Sequence, residues 1–313
     1  MSVLRLIRWP NLIIIAVTMV VIRQCIMKPV LAIAEMEIQL SPLLFTLLVL
    51  STVFIAAGGY AINDYFDTRI DRVNKPGSMV VGKQIYPRHA MAWHLILTVT
   101  GVLMGSFVSL QTRQFYLSLV FFMVSGLLWF YSTTYKRELL LGNFIVALLT
   151  AMVPLTVPLF EVPLLARAYG SPVNGISKYM VFWIAGFSLF AFLLNLTREI
   201  VKDAQDMKGD KIYGKRTIAV VWGTAAVRYI SVIIILFTIA LLILAWINFI
   251  SGLITLIYFG IMIVLPLILS IFRLIADDSE RAFLKVNRLL KVVMVAGMGY
   301  SVILSFIFKD IIK

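Results

Sequence analysis

Apolar residues in this chain fall in long blocks separated by short polar stretches, and block length decides the class of fold. A helix rises 1.5 Å per residue, so about 17–25 apolar residues cross a ~30 Å hydrocarbon core. Nine blocks meet that length, at about residues 9–28, 42–62, 90–110, 115–135, 141–157, 179–196, 229–247, 253–272 and 292–308. The pattern predicts an all-α, polytopic membrane protein, a single integral-membrane domain over residues 1–313. Polar segments at about 63–89 and 198–216 are expected as the loops that carry function, with Asn74-Lys75-Pro76-Gly77 as a turn signal in the first. Arg5 and Arg8 ahead of the apolar run 12–22 look like a secretion leader. The following Arg23-Gln24-Cys25-Ile26 offers no small-residue cleavage site, so a retained first helix is expected.

Composition agrees. The chain is 61% hydrophobic and 14% charged, where soluble domains carry about 25% charged residues. A net charge of +13 invites a nucleic-acid reading, but basic residues in membrane proteins serve topology. With the N-terminus cytoplasmic, 21 of the 28 Lys and Arg residues fall on the inside. The expectation is therefore an inner (cytoplasmic) membrane protein whose functional loops face the cytoplasm, in contact with membrane lipids and with no nucleic-acid partner. Cys25 is the single cysteine, which excludes an internal disulfide and a cysteine zinc site. His89 and His94 stand five apart near a helix start and read as interfacial polar residues rather than a metal pair.

Two acidic clusters change the picture. Asp64, Asp67 and Asp71 follow Asn63, and Asp203, Asp206 and Asp210 follow Lys202. Each trio is spaced i, i+3, i+7, which is one face of a helix. All three pairs are offset by 139 residues, Arg69 matches Lys208, and Arg72 matches Lys211. Four spans lie between the clusters, an even number. That predicts a parallel repeat of two four-helix halves, with a ninth helix added. Three carboxylates on one face beside apolar surface repel one another and resist desolvation. A divalent cation relieves both penalties. Carboxylate oxygens without His or Cys suit Mg2+, which takes one or two protein ligands and completes its shell with water and phosphate. The interleaved Arg69, Arg72, Lys75, Lys202, Lys208 and Lys211 suit the remaining charge of a polyphosphate. One such cluster is as readily a solvated loop. Two with matched internal spacing point to a diphosphate site.

At these residues the chain resembles the UbiA superfamily of intramembrane prenyltransferases. Asn63, Asp64, Asp67 and Asp71 fit its first motif, N-D-x-x-D-x-x-x-D, and Asp203, Asp206 and Asp210 fit its second. The stretch from Tyr131 to Lys136, then Gly142-Asn143, is similar to the segment that family carries after its fourth helix. The resemblance implies a Mg2+-dependent prenyltransferase whose six aspartates are catalytic. Asn63, Asp64, Asp67, Asp203, Asp206 and Asp210 would hold metal. Arg69, Arg72, Tyr131, Lys136, Lys202 and Lys208 would bind the diphosphate of a prenyl diphosphate donor. A lipophilic acceptor would then attack the allylic carbocation in an apolar cavity. Trp129, Phe130, Tyr131, Phe190 and Phe192 are candidates for its wall, although any one of them reads more readily as a lipid-facing or packing residue. The run from Thr197 to Asp203 and on through Gly214 to Thr217 is most similar to the branch that adds geranylgeranyl to geranylgeranylglyceryl phosphate. Arg198, Lys215 and Arg216 would then meet the acceptor's phosphate. An aromatic quinone precursor, of dihydroxynaphthoate or hydroxybenzoate type, is the alternative acceptor. A cation-coupled transporter is the alternative of another class.

Overall fold

The structure, a computed structural model, describes residues 2–74, 76–77 and 79–312, with side chains as far as 309. Lys75, expected among the basic partners of the first cluster and in its turn signal, lies outside the described residues. Among the described residues nine helices are long and apolar enough to cross a membrane. They are α1 (Trp9–Ile33), α2 (Pro42–Asn74), α3 (Pro87–Gln111), α4 (Phe115–Thr133), α5 (Leu141–Tyr169), α6 (Val173–Ile212), α7 (Ile218–Phe249), α8 (Leu253–Ala276) and α9 (Glu280–Lys309). The all-α reading and the count of nine stand.

The helix ends differ from expectation in one way that matters. Helices α2 and α6 do not stop where their apolar blocks stop. Both run on through the acidic segments expected as loop, so the i, i+3, i+7 carboxylates lie on continuous helix. The charged segments contain no Pro or Gly before Gly209, and Lys, Arg, Asp and Glu alternate along them, so nothing local ends the helix.

The chain divides into two compact units, Met1–Tyr135 with Met152–Ala185 and Phe308–Lys313, and Lys136–Ala151 with Gly186–Ile307. The chain passes from one unit to the other at Tyr135/Lys136, between α4 and α5, and again within α5, α6 and the end of α9. The boundaries inside α5 and α6 fall beside residues that loosen a helix. Pro154, first of three prolines inside α5, removes a backbone hydrogen bond, and Gly186 sits where α6 passes from one unit to the other.

In the first unit α2 and α3 approach closely. A Cβ at Gly58 would lie 2.3 Å from the Thr98 hydroxyl, and one at Gly101 would lie 2.9 Å from the Ser51 carbonyl. Small residues at such contacts let membrane helices pack through dispersion and short polar bonds. The Ser51 hydroxyl makes one of these, donating to the Gly101 carbonyl at 2.7 Å. At the opposite end of α2 from the acidic cluster, the connection from α1 is pinned by buried charge. Arg23, in a π-helical turn of α1, donates to the Leu40 carbonyl at 2.5 Å and stacks on Phe45. The buried Glu161 of α5 accepts the backbone N–H groups of Gln39 and Leu40.

At the acidic end, the α2–α3 connection folds back. Val81 and Ile85 join Leu6, Ala61 and Ala90 in a small apolar cluster, with Tyr65 packed against it. The motif-bearing end of α2 is thus braced by the N-terminal segment and by its own following loop.

The second unit is built on α7, α8 and α9, with the start of α5 and the end of α6. Its core includes Ile235, Ile263, Leu267, Val286, Leu290 and Val293. Tyr258 donates to the Ala296 carbonyl at 2.8 Å, and Thr255 meets the Tyr300 hydroxyl at 3.0 Å, so polar groups inside α8 and α9 satisfy one another. Leu95, Val99, Leu103 and Phe107 form an exposed apolar stripe at four-residue spacing on α3, the signature of a lipid-facing surface.

Candidate functional site

In the first unit, α2 presents Asn63, Asp64, Asp67 and Asp71 in a partly buried row, with Arg69 and Arg72 exposed beside them. Asp64 is the best defined of the row. Its Oδ1 accepts from Arg8 at 2.7 Å, with the two side chains 13% and 37% exposed. Arg8 stacks over the Tyr60 ring, 5.0 Å from its centroid, and Asn11 donates to the Tyr60 hydroxyl at 3.3 Å. Below the carboxylates lies a ring group. Phe66 meets Trp129 edge-on at 6.1 Å, and Trp129 lies 5.5 Å from His94. His94 is buried with Nδ1 at 3.0 Å from the Gly58 carbonyl. It is therefore a packing residue of the α2–α3 contact and not the interfacial group expected, whereas His89 is exposed against Tyr86. Tyr131 is half-buried on α4, and Phe130 is exposed.

In the second unit, α6 presents Asp203, Asp206 and Asp210. Asn143, at the start of α5, donates from Nδ2 to Asp203 Oδ2 at 2.7 Å. Asp210 is buried and paired with Lys215 Nζ at 2.9 Å. The helix ends on Gly214 at φ 68°, where the Lys215 N–H returns to the Asp210 carbonyl at 2.9 Å. This glycine-capped reversal folds the lysine back over the last carboxylate. The next residue, Arg216, donates its N–H to the Arg137 carbonyl at 2.8 Å, tying the turn to the segment that holds the buried Lys136. Gln205 reaches from between the carboxylates to the Phe283 carbonyl at 3.1 Å, anchoring α6 to α9.

Several residues expected to meet phosphate have carboxylate partners within the chain. Arg198 pairs with Glu199 at 2.9 Å, Lys202 pairs with the same carboxylate at 3.3 Å, and Lys215 pairs with Asp210. Arg216 and Lys208 are exposed. Of the aromatic candidates, Phe190 packs where a Cβ on Gly297 would stand 2.6 Å away, and Phe192 meets Phe144 at 5.4 Å. Sequence reasoning missed Arg8, Asn143 and Glu199. Asn143 belongs to a quoted motif but had no role. Glu199 stands one helical turn ahead of Asp203, a signal that was available.

The donor set fits a hard divalent cation. All the acids of the two rows are oxygen ligands, and among the described residues no three His, Cys, Asp or Glu side chains close into a ready-made cage. Mg2+ bound jointly by one or two carboxylates, water and phosphate is compatible with such open rows, whereas zinc or copper would want imidazole or thiolate.

Known proteins match this architecture. The UbiA prenyltransferase family matches residues 29–292. A digeranylgeranylglyceryl phosphate synthase of Thermococcus sibiricus is 30% identical over 277 residues, covering 88% of both chains. One of Sulfurisphaera tokodaii is 31% identical over 261 residues, 81% of this chain and 84% of that one. Among solved structures, one described for digeranylgeranylglyceryl phosphate synthase in membranes has TM-score 0.59 at 25% identity, covering 96% of this chain and 98% of the other. A UbiA homolog from Archaeoglobus fulgidus bound to GPP and Mg2+ has TM-score 0.54 at 17% identity, covering 99% and 100%, and shares the fold.

Proposed function

We propose, from the premise that this chain belongs to the UbiA prenyltransferase family, that it moves a geranylgeranyl group from its diphosphate to geranylgeranylglyceryl phosphate in the membrane. Membership makes it an integral-membrane prenyltransferase and removes the transporter alternative. The acceptor reading is carried by one observation: relatives about 30% identical over more than four fifths of both chains are digeranylgeranylglyceryl phosphate synthases.

The reaction breaks the allylic C–O bond of the donor, so diphosphate leaves with the electron pair. The free hydroxyl oxygen of the acceptor attacks the allylic carbon, and its proton goes to solvent. Bound Mg2+ would supply charge to the departing diphosphate, the chemistry that hard oxygen ligands serve. Asp64, Asp67 and Asp71 on α2, and Asp203, Asp206 and Asp210 on α6, are the proposed metal and catalytic carboxylates, with Asn63 adding an amide oxygen. Arg69, Arg72 and Lys208 are exposed next to these rows and suit diphosphate oxygens, as do Lys136 and Tyr131. Arg216, exposed past the end of α6, suits the acceptor phosphate. Arg198 and Lys215 serve first to balance Glu199 and Asp210. The apolar body of the protein keeps water from the carbocation. The Lys and Arg distribution supports a cytoplasmic position for both carboxylate rows, one catalytic domain comprising the whole chain.

The deciding experiment gives purified protein one donor, geranylgeranyl diphosphate, and two acceptors in separate reactions. Diphosphate release with an ether-linked product from geranylgeranylglyceryl phosphate is the expected result. Product only from dihydroxynaphthoate or hydroxybenzoate would overturn the acceptor reading.

A further inference from the structure

Helix α9 is longer than the bilayer needs, and its surplus is charged. Its 30 residues make about 45 Å against a ~30 Å hydrocarbon core. The apolar block begins at about Val292, and Arg281, Lys285, Arg288 and Lys291 precede it, all exposed. At about 100° per residue these cations share one sector of about 120° with Val292, Val295, Val302 and Phe306, exposed apolar residues of the same helix. One face therefore runs from lipid-facing apolar side chains straight into cations. The opposite face carries the buried Phe283, Val286, Leu290 and Val293, and there the Phe283 carbonyl accepts the Gln205 amide of α6 at 3.1 Å.

The turn before α9 keeps this stripe at the membrane. Helix α8 has 24 residues, about 36 Å, so at most about 6 Å remains once it has crossed the hydrocarbon. The connection to α9 is tight. Ser279 donates its N–H and its hydroxyl to Asp277, each at 2.8 Å, and the Ala282 N–H returns to Ser279. Helix α9 thus begins at headgroup height, and its four cations run back from there toward the tails. Arg273, in the last turn of α8, adds another exposed cation. The acids of this stretch, Asp277, Asp278 and Glu280, stand in the turn or at the helix start, past the cations. Asp277 is held below the usual carboxylate range by its bonds to Ser279 ahead of any effect of Lys285. Among the described residues Arg281, Lys285 and Arg288 form no ion pair.

We propose that this charged end of α9 is a docking face for lipids whose phosphate-bearing headgroups are net negative. The apolar residues of the face lie along the tails. The cations meet the phosphates, because long basic stems follow apolar surface while their heads reach the headgroup layer. Four Lys and Arg residues next to a span are enough for a juxtamembrane cluster to hold anionic lipid. The occupant is a lipid rather than an acidic protein, since the face is continuous with the tails and the tight turn does not lift it into water. Topology asks for cations on one side of the membrane and is indifferent to the headgroup they meet. Bound lipid then braces α9 from the side opposite Gln205, without touching the carboxylate row of α6. Nothing in this arrangement depends on the donor or the acceptor.

The test uses the full-length protein with Cys25→Ser and Val292→Cys, labelled with a bimane fluorophore and reconstituted in phosphatidylcholine vesicles. A fixed fraction of nitroxide-tailed lipid is included, with either a phosphatidylglycerol or a phosphatidylcholine headgroup. The ratio of the two quenching efficiencies gives the relative affinity of the headgroups at that face. Phosphatidylglycerol should be favoured by about fivefold, the worth of one cation at an anionic surface. Arg281→Gln, Lys285→Gln and Arg288→Gln together should bring the ratio close to one. A label at Leu103→Cys, on the exposed stripe of α3, should show no preference. Unfolding temperature identifies a triple variant that does not fold, and Arg288→Gln, with about a twofold loss of preference expected, then decides alone. Equal quenching by the two lipids in the parent, or a preference that survives the substitutions, would overturn the proposal and leave the stripe to topology or to an acidic protein. The same preference at Leu103→Cys would also overturn it, because selectivity would then belong to the whole protein.

Discussion

Replacing Lys215 with methionine keeps the stem and removes the charge, and the structure makes a definite demand on the result. Lys215 Nζ stands 2.9 Å from Asp210, with side chains only 11% and 3% exposed. Removing one member of a buried pair leaves an uncompensated charge and costs about 3–5 kcal/mol. Both groups have further interactions, so the lower end applies. At about 2 °C per kcal/mol, that is about 6 °C in unfolding temperature. The assay is thermal unfolding in detergent, followed by tryptophan fluorescence, for Lys215→Met, Asp210→Asn and the double variant. The double should recover much of the loss, giving a coupling of about 1–3 kcal/mol. The same proteins report on role. If Lys215 serves Asp210, acceptor KM in the double variant stays close to that of Asp210→Asn alone. Unfolding of Lys215→Met within a degree of the parent, or strict additivity in the double, would refute the reasoning and return Lys215 to the acceptor phosphate.

Three further outcomes are expected. EDTA should abolish product formation and added Mg2+ should restore it; full turnover in metal-free buffer would remove the carboxylate assignment. Asp67→Asn and Asp206→Asn should each lower kcat by on the order of 10²-fold or more with a smaller change in donor KM, because losing charge stabilisation of a leaving group costs about 2.7–4 kcal/mol in the transition state. In a Cys25→Ser background, single cysteines at the exposed positions 72 and 211 should both label from the cytoplasmic side of sealed vesicles, and labelling from opposite sides would break the parallel-repeat argument.

How much of this was legible in the sequence depended on whether the signal was local. The i, i+3, i+7 spacing of Asp64, Asp67 and Asp71 is a helical statement, and α2 is helical there. Apolar block length gave all nine spans, because bilayer thickness imposes it. Block length could not give the ends of α2 and α6, since a helix leaving the bilayer needs no apolar residues to continue. The Lys215–Asp210 pair was within reach: Gly214 marks a helix stop, and a glycine cap turns the chain back on itself. Arg8 with Asp64 and Asn143 with Asp203 were not, being 56 and 60 residues apart. Such pairs are set by how helices pack, which periodicity does not encode. His94 was misplaced for the same reason, since its partner is a carbonyl on another helix.

Helix α2 has a consequence for how the reaction must be measured. From Pro42 to Asp64 the axis advances about 33 Å, and to Asp71 about 44 Å, against a hydrocarbon layer of ~30 Å. The α2 carboxylates thus lie past the length of helix that a ~30 Å hydrocarbon layer takes up, at the end of a mostly apolar span. Substrates with charged heads and long tails can meet them while staying anchored among lipids, and the product remains in the same leaflet. The quantity that governs encounter is then the number of substrate molecules per lipid, not per litre. Adding inert lipid at constant bulk substrate should slow turnover, as in any chemistry confined to two dimensions.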